Sequence, residues 1–130
     1  MKITNGQIVN LFNGVPKIMK KRLPVKFGFA ISKNMAAMQS AAESYDAEIV
    51  KLLEKYGKKD ESGQFIKDGK EYILSDKQAY TDEVKELMDI ENEIPIHTVS
   101  MDEIEKCDSE KFDALTPAEL SLLEFMISAE

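Results

Sequence analysis

A single apolar stripe constrains this chain more than any other feature. Ile31, Met35, Met38, Ala42, Tyr45, Ile49, Leu52 and Tyr56 recur at alternating spacings of four and three residues. That period lines one side of an α-helix, because side chains three and four positions apart lie above one another. Ala36, Ala37, Ala41, Ala42 and Ala47 favour helix and let a neighbour approach closely. The spacing predicts a long helix within 25–57, firmest from Ser32 to Tyr56, where a rise of 1.5 Å per residue gives about 35 Å. A seam of this length needs a partner surface, so helix-to-helix packing is the expected basis of the fold.

The flanks carry start and stop signals. In the N-terminal helical segment, 1–24, Thr4 and Gln7 have the spacing of a capping box, with Ile3 just outside it. Ile8, Leu11, Phe12 and Val15 supply one face, and Gly14 and Pro16 interrupt it, which predicts a kink or two short helices. Leu23-Pro24 marks the next break. Between Val25 and Ala30 two readings stay open: Val25, Phe27 and Phe29 alternate as in a strand, while Phe27, Ala30 and Ile31 have helical spacing. Gly57 is expected as a left-handed C-cap, with Lys55, Lys58 and Lys59 suiting the negative helix end.

From 58 to 74 the pattern becomes that of a β-hairpin, with Phe65-Ile66 and Tyr72-Ile73-Leu74 as strands and Asp68-Gly69 at the turn. Ser75 and Gln78 repeat the capping-box spacing, so a second long helix is expected over 75–92, with Tyr80, Val84, Leu87 and Met88 facing the first. The segment 94–99 reads as a short strand, and Ser100–Glu105 as one capped helical turn. A C-terminal helix is expected over 116–128: Thr116 is the N-cap, Pro117 is N1, Glu119 is N3, and Leu115 and Leu120 form a staple. Leu120, Leu123 and Ile127 suit a core. Leu122, Phe125 and Met126 widen that face, so the helix is either wedged between two surfaces or bound to another chain. The expected architecture is one small α+β domain, 1–130. It is mainly helical, with a long helix against a second helix, a small hairpin and a short C-terminal helix.

Chemistry is sparse. The formal charge of −7 opposes a phosphate backbone and disfavours direct nucleic-acid binding. The basic cluster Lys17, Lys20, Lys21, Arg22 and Lys26 could meet an acidic partner. Cys107 is the sole cysteine, so an intramolecular disulfide is excluded, and Glu105, Asp108 and Glu110 disfavour its thiolate. His97 and Cys107 lack the further ligands of a zinc pattern, and neither a phosphate loop nor a calcium loop is present. The acids of the second helix read as a solvated face, and Phe65 and Tyr72 as core rather than base-stacking groups. The sequence assigns no catalytic residue, metal or cofactor. The N-terminus lacks an unbroken apolar signal segment and no run reaches membrane-spanning length, which points to the cytoplasm. The candidate protein interface is Met35, Met38, Tyr45, Ile49, Leu122, Phe125 and Met126, shared with another protein or between copies of a homo-oligomer.

Three stretches carry a family resemblance: MKITNGQIVN (Met1 to Asn10), RLPVKFGFAISKN leading into LLEKYGKKDESG (Arg22 to Gly63), and LTPAELSLLEFMI (Leu115 to Ile127). In that order the chain resembles the DUF1617-like family, small phage and prophage proteins of Gram-positive hosts. Pro16 departs from the more continuous early helix expected there. The resemblance implies phage or prophage origin and brings no catalytic residues with it. The expected function is a non-enzymatic protein-interaction or assembly factor. The alternatives are an anti-defence or host-takeover inhibitor of a host nucleic-acid enzyme, for which the acidic charge is the motive, and a carboxylate-based metal-dependent enzyme.

Overall fold

A computed structural model of the chain describes residues 1–128. The order is β1 (Lys2–Thr4), α1 (Asn5–Ile18), α2 (Val25–Tyr56), β2 (Lys67–Asp68), β3 (Glu71–Tyr72), α3 (Lys77–Met88), β4 (Glu91–Glu93), β5 (Val99–Ser100), α4 (Met101–Glu105), a 3-10 turn (Lys106–Asp108), α5 (Pro117–Leu123), a second 3-10 turn (Glu124–Met126) and β6 (Ile127–Ser128). The class is α+β, with the long α2 packed against α1 and α3.

α1 starts on the capping box: the Gln7 amide donates to Thr4 Oγ1 at 3.1 Å, and the Thr4 amide donates to Gln7 Oε1 at 2.8 Å. Ile8, Leu11, Val15 and Ile18 form its buried face. The expected break at Pro16 does not divide it. Pro16 lies on the exposed side of the last stretch, so the donor it removes is lost near the helix end.

α2 resolves the open segment 25–30 as helix. Phe27, Ala30, Ile31, Asn34 and Met38 are buried, whereas Val25 is 84% and Phe29 59% exposed. A strand would have turned Val25, Phe27 and Phe29 to one side; the core takes only Phe27. Gly57 is not the left-handed cap that was expected, for its φ is −71° and its ψ 130°. Its lack of a side chain serves proximity instead: a Cβ there would lie 2.6 Å from the Leu53 carbonyl oxygen and 2.8 Å from the Phe65 ring.

The hairpin pairs Lys67 with Tyr72 and Asp68 with Glu71. Its turn residues are thus Gly69 and Lys70, one position later than expected, with positive φ (68°) at Gly69 alone, the pattern of a type II′ turn. The chain leaving α2 joins it, since the Lys58 amide donates to the Ile73 carbonyl, Ile66 to Lys58 and Ile73 to Ile66, each at 2.9 Å.

α3 is shorter than expected. Asp76, not Ser75, caps it by accepting from the Ala79 amide at 3.0 Å, and it ends at Met88. Glu91–Glu93 turns away to pair antiparallel with β1. Two buried or half-buried amides tie this junction. Asn5 Nδ2 donates to the Leu87 carbonyl at 2.8 Å, and Asn92 Nδ2 donates to Asn5 Oδ1 at 2.9 Å. The expected strand 94–99 is not a ladder strand along its length. Ile94 exchanges backbone hydrogen bonds with Met1 at 2.9 and 3.1 Å beside β4, and Val99 pairs through β5, parallel to β6. The preceding backbone is held by a side chain: Asn34 Nδ2 donates to the His97 carbonyl at 2.8 Å and Asn34 Oδ1 accepts from the His97 amide at 2.7 Å.

The C-terminal segment breaks up in the same way. The Thr116–Glu119 capping box forms, but α5 ends at Leu123 and gives way to a 3-10 turn and β6 rather than running to 128. The core lies between α1, the first half of α2 and the C-terminal elements. Its buried apolar residues all fall within 3–38 or 94–126. The second half of α2, the hairpin and α3 form an arm in which apolar contacts stay half-buried.

Candidate functional site

A groove of about 610 Å³ lies between β1, α1 and α5. Ile3, Leu11, Leu122 and Phe125 form its apolar lining, and Gln7, Asn10 and Ser121 are among its polar residues. Local sequence explains the shape. Gly14 lets α5 close on α1, since a Cβ at 14 would meet Leu122 Cδ2 at 2.5 Å. The terminal amine is drawn to one end, donating to Glu93 Oε1 at 2.9 Å and to the Ile94 carbonyl at 3.1 Å. Half-buried aliphatic and aromatic groups with a few polar neighbours suit an apolar side chain of a bound protein.

The expected interface residues separate into groups. Leu122 and Phe125 line this groove together. Met35 is half-buried at the core margin. Tyr45 and Ile49 are half-buried on the second half of α2. Met38 and Met126, at 0% and 1% exposure, are core residues and present no surface to a partner. Met38 falls on the stretch of α2 covered by other elements. Met126 is carried inward by the 3-10 turn, with its sulfur 3.6 Å from Asn34 Nδ2. Ile3 and Leu11 line the groove as core residues at 2% and 3% exposure, so like Met38 and Met126 they offer a partner almost no surface. Their capping and periodicity were visible, but the α1–α5 contact that turns them into a wall was not.

The titratable groups are dispersed. Cys107 is buried, and desolvation foremost, then Asp108, pushes its thiol up. His97 is exposed and meets the Phe29 ring edge-on, with centroids 6.0 Å apart. In the arm, the Tyr56 hydroxyl and the Lys55 ammonium, the latter 3.3 Å from Oε1, hold the Glu83 carboxyl below its usual range. Glu83 Oε2 nevertheless meets no donor at hydrogen-bond geometry. Burial raises Tyr45, aided by Tyr80 and Asp46. Among the described residues, no group of three or more His, Cys, Asp or Glu side chains is placed to hold a metal ion. Phe65 and Tyr72 pack edge to face at 5.7 Å, with Lys59 and Lys67 over their rings. No helix among the described residues is long and apolar enough to cross a membrane. No family model, curated protein or solved structure matches this chain.

Proposed function

We propose that this chain is a non-enzymatic protein-interaction or assembly factor of phage or prophage origin. It acts in the cytoplasm of the bacterial host and engages a phage or host protein. The observation that carries this reading is the β1–α1–α5 groove, in which Leu122 and Phe125 stand half-buried beside Ile3 and Leu11 on a tightly packed base. An apolar cleft with polar neighbours offers the shape and desolvation gain on which protein recognition relies. The resemblance of the opening, central and closing stretches to phage and prophage proteins supplies the biological setting.

The test is affinity capture from phage-infected cells, with quantitative mass spectrometry and an uninfected control. The native chain is compared with an Asn10→Arg, Ser121→Arg variant. Both side chains are exposed at the groove, so arginines there obstruct it without touching the core. Recovery of phage structural proteins by the native chain and their loss with the variant supports assembly. Recovery and loss of one host nuclease or polymerase moves the reading to host takeover. An identical set of captured proteins for both chains overturns the groove as the binding surface.

A further inference from the structure

Two surfaces at opposite ends of α2 carry opposite charge around exposed apolar groups. The first is the elbow between α1 and α2. Lys17, Lys20 and Lys26 are exposed there and make no ion pair among the described residues. Their near neighbours in the chain include Met19, 40% exposed, and Val25, 84% exposed. The neighbouring Lys21 and Arg22 are already engaged by Glu119 at 2.7 Å and Asp113 at 3.0 Å. The second surface is a groove of about 390 Å³ between α2 and α3. Leu52, Leu87 and Ile90 give it apolar walls, and Glu48, Glu83 and Glu86 give it acids; Glu48 pairs with Lys51 at 2.9 Å and Glu83 with Lys55 at 3.3 Å at the surface, and Glu86 makes no ion pair among the described residues. Its α3 side is acidic, for residues 75–93 hold seven carboxylates against two lysines.

Within one chain these surfaces cannot meet. Val25 and Glu48 lie on the same helix, about 35 Å apart at its regular rise. We propose that a second copy of this chain fills the arm groove, placing its lysine-rich elbow, with Met19 and Val25, against Leu52, Leu87 and Ile90 between the acids. The contact joins two different surfaces, so it is head-to-tail and builds an open chain or a ring rather than a two-fold dimer. The net charge of −7 repels copies at long range, so the contact forms where salt screens the whole-chain field and the short-range pairs persist. This surface is separate from the β1–α1–α5 groove, and the inference does not rest on the function proposed above.

Sedimentation of the purified full-length chain in physiological salt tests it, without any cell extract. The weight-average mass is expected to rise above 14.7 kDa with concentration up to about 1 mM. A Lys17→Glu, Lys20→Glu variant and a Glu48→Lys, Glu86→Lys variant each replace exposed side chains. Each is expected to lose association about tenfold or more, and an equimolar mixture of the two to regain it, because the reversed elbow again meets a reversed arm. A native chain that stays at monomer mass overturns the proposal. So does association that survives both reversals, or that both variants lose and their mixture fails to restore. Circular dichroism of each variant excludes unfolding as the cause of lost mass. A monomeric result leaves capture through the other groove intact, so the two readings fail separately.

Discussion

The two halves of α2 carry the same apolar stripe into different surroundings. In the first half, Phe27, Ala30, Ile31 and Met38 are at or below 1% exposure, enclosed by α1 and the C-terminal elements. In the second half, Tyr45, Ile49, Leu52 and Tyr56 stay half-buried, and α3 opposite them buries no residue fully. A stripe of constant period fixes which side of a helix is apolar. How deeply that side is buried depends on how many elements cover it. The base is covered from several directions and the arm mainly by α3 and the hairpin, so the arm is expected to open at lower free energy than the base.

Truncation tests that contrast most strongly. Met38→Ala is expected to cost about 2–5 kcal/mol in urea denaturation, as for a fully enclosed side chain. Ile49→Ala is expected to cost only about 1 kcal/mol, because part of its surface already meets water. Equal losses at the two positions would erase the distinction between base and arm.

The next effect concerns how the base holds irregular backbone. Asn34→Ala removes both hydrogen bonds to His97, at an expected cost of about 1–3 kcal/mol for each group left unsatisfied. Hydrogen exchange should then quicken at the His97 amide while α3 amides keep their native rates. Unchanged protection at His97 would mean that the clamp contributes little.

In the arm, Gly57→Ala places a methyl against the Leu53 carbonyl and the Phe65 ring, and about 1–2 kcal/mol is expected to be lost. Faster exchange should be confined to the hairpin, and loosening of α1 instead would show that the arm and base unfold as one unit.

The smallest effect is electrostatic. Lys21, and after it the Thr116 amide, hold the Glu119 carboxyl below its ordinary value. A depressed carboxyl stabilises the fold above its unfolded pKa, and that contribution disappears as pH falls through the folded value. Glu119→Gln is therefore expected to cost less than about 1 kcal/mol at neutral pH, given partial solvent screening. The difference from the native chain should close below about pH 4. A gap that persists at lower pH would assign it to packing rather than charge.

Helix termini were legible in part where the chemistry was local: two capping boxes formed, while Ser75 gave way to Asp76 and Gly57 took no left-handed conformation. Thr4 with Gln7 and Thr116 with Glu119 form the capping boxes their spacing implied, since both partners lie within one turn. Legibility failed where a long-range contact decides. β1 and β4 are each three residues long, too short for a periodic pattern, and exist because they pair with each other. Asn5 and Asn34 look like ordinary polar positions in helical segments, yet both are buried and hold distant backbone. Of the candidate interface, Leu122 and Phe125 reach an open groove and Met38 and Met126 do not. All four are large and apolar, so hydrophobicity alone could not sort them.

The sequence by itself determined the apolar side of α2, the capped starts of α1 and α5, the existence of a hairpin near Gly69 and the acidic balance. Each follows from interactions among residues close in the chain or from charge that needs no partner. Only the tertiary structure decided that α2 is enclosed at one end and half-covered at the other, that Gly57 makes room for Phe65, and that α1 and α5 leave a groove between them. Those outcomes depend on which surfaces meet across separations of tens of residues, where packing selects among several locally acceptable conformations.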